Sequence, residues 1–225
     1  MMISFSGLDG AGKSTQIDLL KSRLERDGAK VRVIWARGGY TPGFEFIKNS
    51  IRLIFKKSLP LSGKSAERQA VINNPTVRGI WLAISILDLM LIWGIYARVL
   101  RILGFIVIFD RYTKDTLLDF RYNFPESNVE SGYLWRSLVR FCPQPDDSLL
   151  FWVPVKTSIE RSLAKKEPFS DDAETLQWRF SAYMDKNIFP KEEHFRIDGQ
   201  LDIVTIAEDV HSKILPSLRR KVIIC

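Results

Sequence analysis

An α/β fold on a five-stranded, mostly parallel sheet with helices on both faces is what the sequence predicts, and three observations predict it. Short β-branched runs alternate with longer helical stretches. A glycine-rich loop joins the first run to the first helix. The chain has 225 residues, 46% of them hydrophobic and 26% charged, which suits one soluble domain with a sizeable core.

The strand candidates are Met2 to Phe5, Val31 to Trp35, Phe105 to Phe109, Ser148 to Val153 and a weaker Phe195 to Ile197. Helical candidates lie between them: Lys13 to about Asp27, Gly43 to about Lys57, Arg78 to about Leu103, and three more towards the C-terminus, the last from Val204 to Ser217. Lys57 to Thr76 is rich in Ser, Pro, Asn and charge, and Arg121 to Gly132 carries Pro125 among polar residues. Both read as surface loops rather than linkers, so residues 1–225 are expected to form one domain.

The segment Gly79 to Ala97, GIWLAISILDLMLIWGIYA, is long enough to span a bilayer and holds one charge, Asp88. It lies between two halves of what reads as one α/β unit, so a buried or subunit-facing helix is expected ahead of membrane contact. Its all-round apolarity makes it a candidate homodimer surface.

A formal charge of +7 and a pI near 9.4 favour an anionic partner: nucleotide, nucleic acid or acidic lipid surface. Cys142 and Cys225 are far apart, which supports neither a disulfide framework nor a zinc site and suits a reducing, cytoplasmic setting. The opening residues MMISFSGLDG show no basic n-region or apolar h-region, so no secretory signal is expected.

Gly7-Leu8-Asp9-Gly10-Ala11-Gly12-Lys13-Ser14 satisfies the phosphate-loop pattern G-x-x-x-x-G-K-[ST] between the run ISF and the helical run STQIDLLKSRL. Its glycines let backbone N–H groups turn inward around phosphate oxygens, and the positive end of the following helix adds to the field there. Gly7 to Thr15 is therefore read as an ATP site. Lys13 is expected to bridge the β- and γ-phosphates, and the Ser14 hydroxyl to reach Mg2+. In this frame the fold becomes a P-loop NTPase three-layer sandwich.

The strand FIVIF delivers Asp110, Arg111 and Tyr112 at its C-terminal end, where open parallel sheets bind ligands. Asp110 suits the magnesium shell or polarisation of the attacking group, and Arg111 suits a bidentate phosphate clamp.

With these residues in view, the chain resembles the thymidylate kinase family of nucleoside monophosphate kinases. The match lies in GLDGAGKST, in ARGGYTPG after the second strand, in FDRY at the third, and in Val153 to Lys166 followed by a helix. The resemblance implies transfer of the γ-phosphoryl group of ATP to a nucleoside monophosphate. It places Asp9 near the acceptor sugar and Arg37 and Arg111 on the acceptor phosphate. It also implies a short basic lid, about 161–175, whose R-x-x-x-R pattern here reads Arg161-Ser162-Leu163-Ala164-Lys165 before Lys166. With Gly10-Ala11 in the loop, where some members carry an arginine, the transition-state cation is expected from Arg161, Lys165 or Lys166.

The acceptor half departs from the family. The Asp-Arg or Asn-Arg pair of the apolar helix reads Asp88-Leu89, and the Tyr-Gln pair that serves the pyrimidine reads Asp119-Phe120. Phe120 is read either as a ring that stacks on the base or as a core residue. The leading expectation is ATP- and Mg2+-dependent phosphorylation of dTMP to dTDP, with no nucleic-acid partner. The alternatives are a kinase of the same kind for a non-thymidylate acceptor, small or presented at a membrane, and an ATP-binding regulatory protein without transfer.

Overall fold

The structure, a computed structural model, describes residues 1–36, 74–165 and 171–222. Expectations for Arg37, for the helix at 43–57, for most of the loop at 57–76 and for Lys166 lie outside the described residues.

The described elements run β1 (Met2–Gly7), α1 (Lys13–Arg26), β2 (Val31–Trp35), α2 (Pro75–Ile102), β3 (Ile106–Asp110), α3 (Thr113–Asn123), α4 (Tyr133–Phe141), β4 (Asp147–Trp152), α5 (Val155–Ala164), α6 (Ala173–Met184), β5 (Phe195–Asp198) and α7 (Ile203–Val222). The five strands form one sheet in the order β2-β3-β1-β4-β5. Each strand pairing is parallel, where the sequence supported only a mostly parallel sheet. The chain has the α/β fold of the P-loop NTPases.

β1 is buried along its whole length, as a central strand covered on both faces must be. Alternation along it feeds two cores. Ile3 and Phe5 pack with Leu149, Phe151, Ile17 and Leu20 and with Val210 and Ile214 of α7. Met2 joins Val107, Phe109, Leu89, Trp93 and Leu138.

α2 starts earlier than its apolar pattern, because Asn74 caps it and Pro75 fits the first turn. The Asn74 side chain accepts from Thr76 N–H at 3.0 Å and Val77 N–H at 3.3 Å. Its middle, Met90–Tyr96, is wound as a π-helix. There the Phe141 ring of α4 lies so close that a Cβ on Gly94 would fall 2.2 Å from a ring carbon. Leu82, Ser85, Ile86, Asp88, Leu89, Trp93, Ala97 and Leu100 face inward. Ile80, Leu87, Leu91, Ile95, Val99 and Ile102 face outward. Among the described residues this helix is long and apolar enough to cross a membrane, yet one of its faces is core.

The segment at 121–132 is more ordered than a plain loop. α3 continues to Asn123, and two single 3-10 turns, Pro125–Ser127 and Val129–Ser131, lead to α4.

Candidate active site

Register brings the two sequence signals together. β1 pairs with β3 so that Phe5 lies opposite Asp110, and the Arg111 N–H donates to the Phe5 carbonyl at 2.9 Å. The loop after Gly7 and the segment Asp110-Arg111-Tyr112 therefore leave the sheet side by side at its C-terminal edge.

The loop curls because three glycines take left-handed backbone angles: Gly7 at φ 132°, Gly10 at 72° and Gly12 at 90°. Two of them also answer to space. A Cβ on Gly7 would lie 2.1 Å from the Phe151 carbonyl oxygen, and one on Gly10 would lie 2.9 Å from that of Ser158. α5 grips the loop there: Ser158 Oγ donates to the Asp9 carbonyl at 2.6 Å. Arg161 Nη1 donates to the carbonyls of Gly10 at 3.2 Å and Gly199 at 2.9 Å.

Lys13 is buried and folds back, donating to the carbonyls of Gly7 at 2.9 Å and Leu8 at 2.6 Å. Burial, then the nearby Arg111 charge, holds its ammonium pKa down at about 8. Ser14 and Thr15 are exposed at the start of α1. Among the described residues no side chain caps that helix end, so its first N–H groups suit an anion. The loop thus fits a nucleotide's phosphates, and the exposed Ser14 hydroxyl fits a magnesium ion held with them. Asp110 sits across from Lys13; burial raises its carboxyl pKa, while Lys13 and Arg111 pull it down.

Arg111 lies inside the site with a left-handed backbone, φ 73°. Its guanidinium pairs with Asp9 through Nη2 and donates through Nη1 to Tyr183 Oη at 3.0 Å. Tyr183 Oη donates to Asp115 Oδ1 at 2.7 Å, and Asp115 Oδ2 accepts from Ser6 Oγ at 2.6 Å and Tyr112 N–H at 3.1 Å. Asp115, Tyr183, Ser6 and Ser158 were missed by the sequence reading. Asp115, three residues after Tyr112 at a helix start, carried a local signal; Tyr183, on α6, carried none.

The structure thus gathers Gly7, Asp9, Gly10, Ala11, Gly12, Lys13, Ser14, Asp110, Arg111 and Arg161 at one sheet edge. Lys165 is exposed at the end of α5. Phe120 is a core residue and not a stacking ring: it is 2% exposed and packs against Trp81, Phe124 and Trp135. Leu89 is fully buried in the same core. Asp119 is engaged by Arg179 at 2.6 Å, and Arg179 also holds Asp171 at 2.8 Å.

No family model matches the chain. It is similar to a thymidylate kinase of Cupriavidus pinatubonensis, 29% identical over 184 residues, which cover 77% of this chain and 75% of that one. A probable thymidylate kinase of Methanobrevibacter smithii is 26% identical over 216 residues, 96% of this chain and 95% of its own. A thymidylate kinase of Bradyrhizobium sp. is 45% identical over a stretch of 49 residues, 22% of this chain and 21% of its own. Likeness over most of the chain to enzymes of one kind, on a P-loop sheet with the glycine loop in place, makes this chain thymidylate kinase-like, divergent in sequence, and a phosphotransferase of the nucleoside monophosphate kinase type.

Proposed function

We propose that the chain transfers the γ-phosphoryl group of ATP to the phosphate of a nucleoside monophosphate, with dTMP as first acceptor and dTDP as product. The observation that carries this reading is the convergence of Lys13, Asp9, Asp110 and Arg111 where β1 and β3 end.

In this reading the loop from Gly7 to Thr15 wraps the nucleotide phosphates with backbone N–H groups, and Lys13 leaves the Gly7 and Leu8 carbonyls to meet the β- and γ-phosphates. Ser14 and Asp110 would hold magnesium, which when bound with ATP neutralises charge on the transferring group. Arg111 clamps the acceptor phosphate, with Arg37 as its partner from outside the described residues. Asp9 faces the acceptor sugar. Arg161 is already anchored to the loop carbonyl of Gly10 and supplies lid charge next to it. Lys165 would join from the lid at about 161–175. Phosphoryl transfer asks the protein mainly for placement and for cations around spreading negative charge, and this set supplies both.

A second reading, favoured by a specific observation, is an acceptor other than thymidylate. Leu89 and Phe120 are core residues, and Asp119 is committed to Arg179, so the side chains the family uses for the base are occupied elsewhere. We take the protein to be cytoplasmic, one domain, and a homodimer through the outer face of α2.

The test is acceptor-dependent ADP formation from Mg-ATP across a panel of nucleoside monophosphates. dTMP is expected to lead, and Lys13→Ala is expected to cut turnover by about a hundred- to a thousandfold. ATP binding without turnover on any nucleotide would overturn the nucleotide acceptor and point to phosphosugars and lipids.

A further inference from the structure

Two properties of Arg111 go beyond holding a phosphate. A non-glycine residue in the left-handed region persists only where its surroundings fix it. Its two guanidinium edges also meet very different partners.

The Nη1 edge faces a closed interior. Tyr183 Oη receives it at 3.0 Å and passes a hydrogen bond to Asp115, whose Oδ1 lies 3.7 Å from Nη1 itself. The Asp115 side chain is 1% exposed and is fixed by Ser6 of β1, the Tyr112 N–H ahead of α3, and Tyr183 of α6. Three elements thus converge on one carboxylate. The Nη2 edge faces Asp9, whose side chain is 31% exposed on the phosphate loop.

These edges differ in what it takes to replace a partner. A partly exposed carboxylate that loses an arginine is resolvated readily, whereas a carboxylate with 1% exposure that loses one keeps its charge out of water. An arriving phosphate dianion therefore displaces Asp9 and not Asp115.

We propose that Asp115, acting through Tyr183, is the positioning residue that anchors Arg111, and that Asp9 is its exchangeable partner. The acceptor's phosphate takes the Nη2 edge from Asp9 while the Nη1 edge stays on Tyr183. Asp9 is thereby turned towards the acceptor. This rests on the reading of Arg111 as the acceptor-phosphate ligand.

The experiment is 15N-arginine NMR on the full chain, in the ligand-free wild type and in Asp9→Asn, Asp115→Asn and Tyr183→Phe, with inorganic phosphate as the titrant. Arg111 Nη1 protons are expected to exchange slowly in the wild type and in Asp9→Asn. They should exchange about tenfold faster or more in Asp115→Asn and Tyr183→Phe, the scale of a lost charge-assisted hydrogen bond. Phosphate should move the Nη2 signals and leave Nη1 in place. Loss of protection in Asp9→Asn but not in Asp115→Asn, or phosphate moving Nη1 or neither edge, would overturn the proposal. If Asp115→Asn does not fold, Tyr183→Phe carries the test. Failure of the underlying reading is separate: Arg111→Lys would leave acceptor kinetics with dTMP unchanged, while the spectra of the chain with Arg111 in place still report the anchor.

Discussion

Lys13 is held where burial and ligand pull its charge in opposite directions. Burial among the Gly7 and Leu8 carbonyls and beside Arg111 brings its pKa down to about 8, while bound phosphate oxygens restore the charged form and raise it. The sign follows. Below pH 8 the amine is charged in both states and ATP affinity is flat; above it, binding requires proton uptake. The affinity is then expected to weaken by up to about tenfold per pH unit. Isothermal titration in two buffers of different ionisation enthalpy, at pH 7 and pH 9, reads both the affinity and the proton taken up. Equal affinities with no proton uptake would mean that Lys13 is not the group meeting the phosphates. This residue and its loop were legible in the sequence because the motif is local: spacing, glycines and helix start all lie within Gly7 to Ser14. Tyr183 and Arg179 were not, because they reach the site region from α6, and no local pattern states which face of α6 turns towards α3.

At the scale of elements, strand periodicity and helical runs located β1 to β5 to within a residue or two, since each strand is fed by a short apolar run. The misses have physical causes. α2 begins ahead of its apolar pattern because a cap and a proline start it, and α3 runs past the expected loop boundary until Phe124. How α6 docks on α3 was invisible, because it depends on side-chain pairs far apart in sequence: Arg179 with Asp119, Tyr183 with Asp115 and Thr175 with Tyr122. Arg179 is 6% exposed, and its partners Asp119 and Asp171 have side chains 12% and 11% exposed. Arg179→Met keeps the volume and removes the cation that two largely buried carboxylates share. The expected cost is about 3–5 kcal/mol. In a chain of this size that corresponds to a fall in melting temperature of roughly 10 °C by calorimetry. An unchanged transition would mean that the docking is held by the packing of Leu176 and Tyr183 and by the Tyr183–Asp115 and Tyr122–Thr175 hydrogen bonds.

For the whole molecule, the +7 charge suits anionic substrates, but it does not account for the outer face of α2. Ile80, Leu87, Leu91, Ile95, Val99 and Ile102 are each at least 46% exposed and follow one helix face, on an element of 28 residues. That length is about 42 Å, enough to contribute a large share of the ~800 Å² per partner that a stable interface buries. A two-fold axis crossing this helix near its midpoint would pair two copies antiparallel, with the axis between Leu87 and Leu91. A residue beside the axis meets its own counterpart, so Leu91→Glu brings two carboxylates together in an apolar seam rather than adding one charge to a rim. Light scattering behind size exclusion is therefore expected to give twice the 26.0 kDa chain mass for the wild type and a single chain mass for Leu91→Glu. The ATP affinity of the variant should stay near wild type, because the phosphate loop lies at the edge of the sheet where β1 ends and not on α2. A wild type that runs as one chain at micromolar concentration would remove the homodimer and leave this face to a different partner.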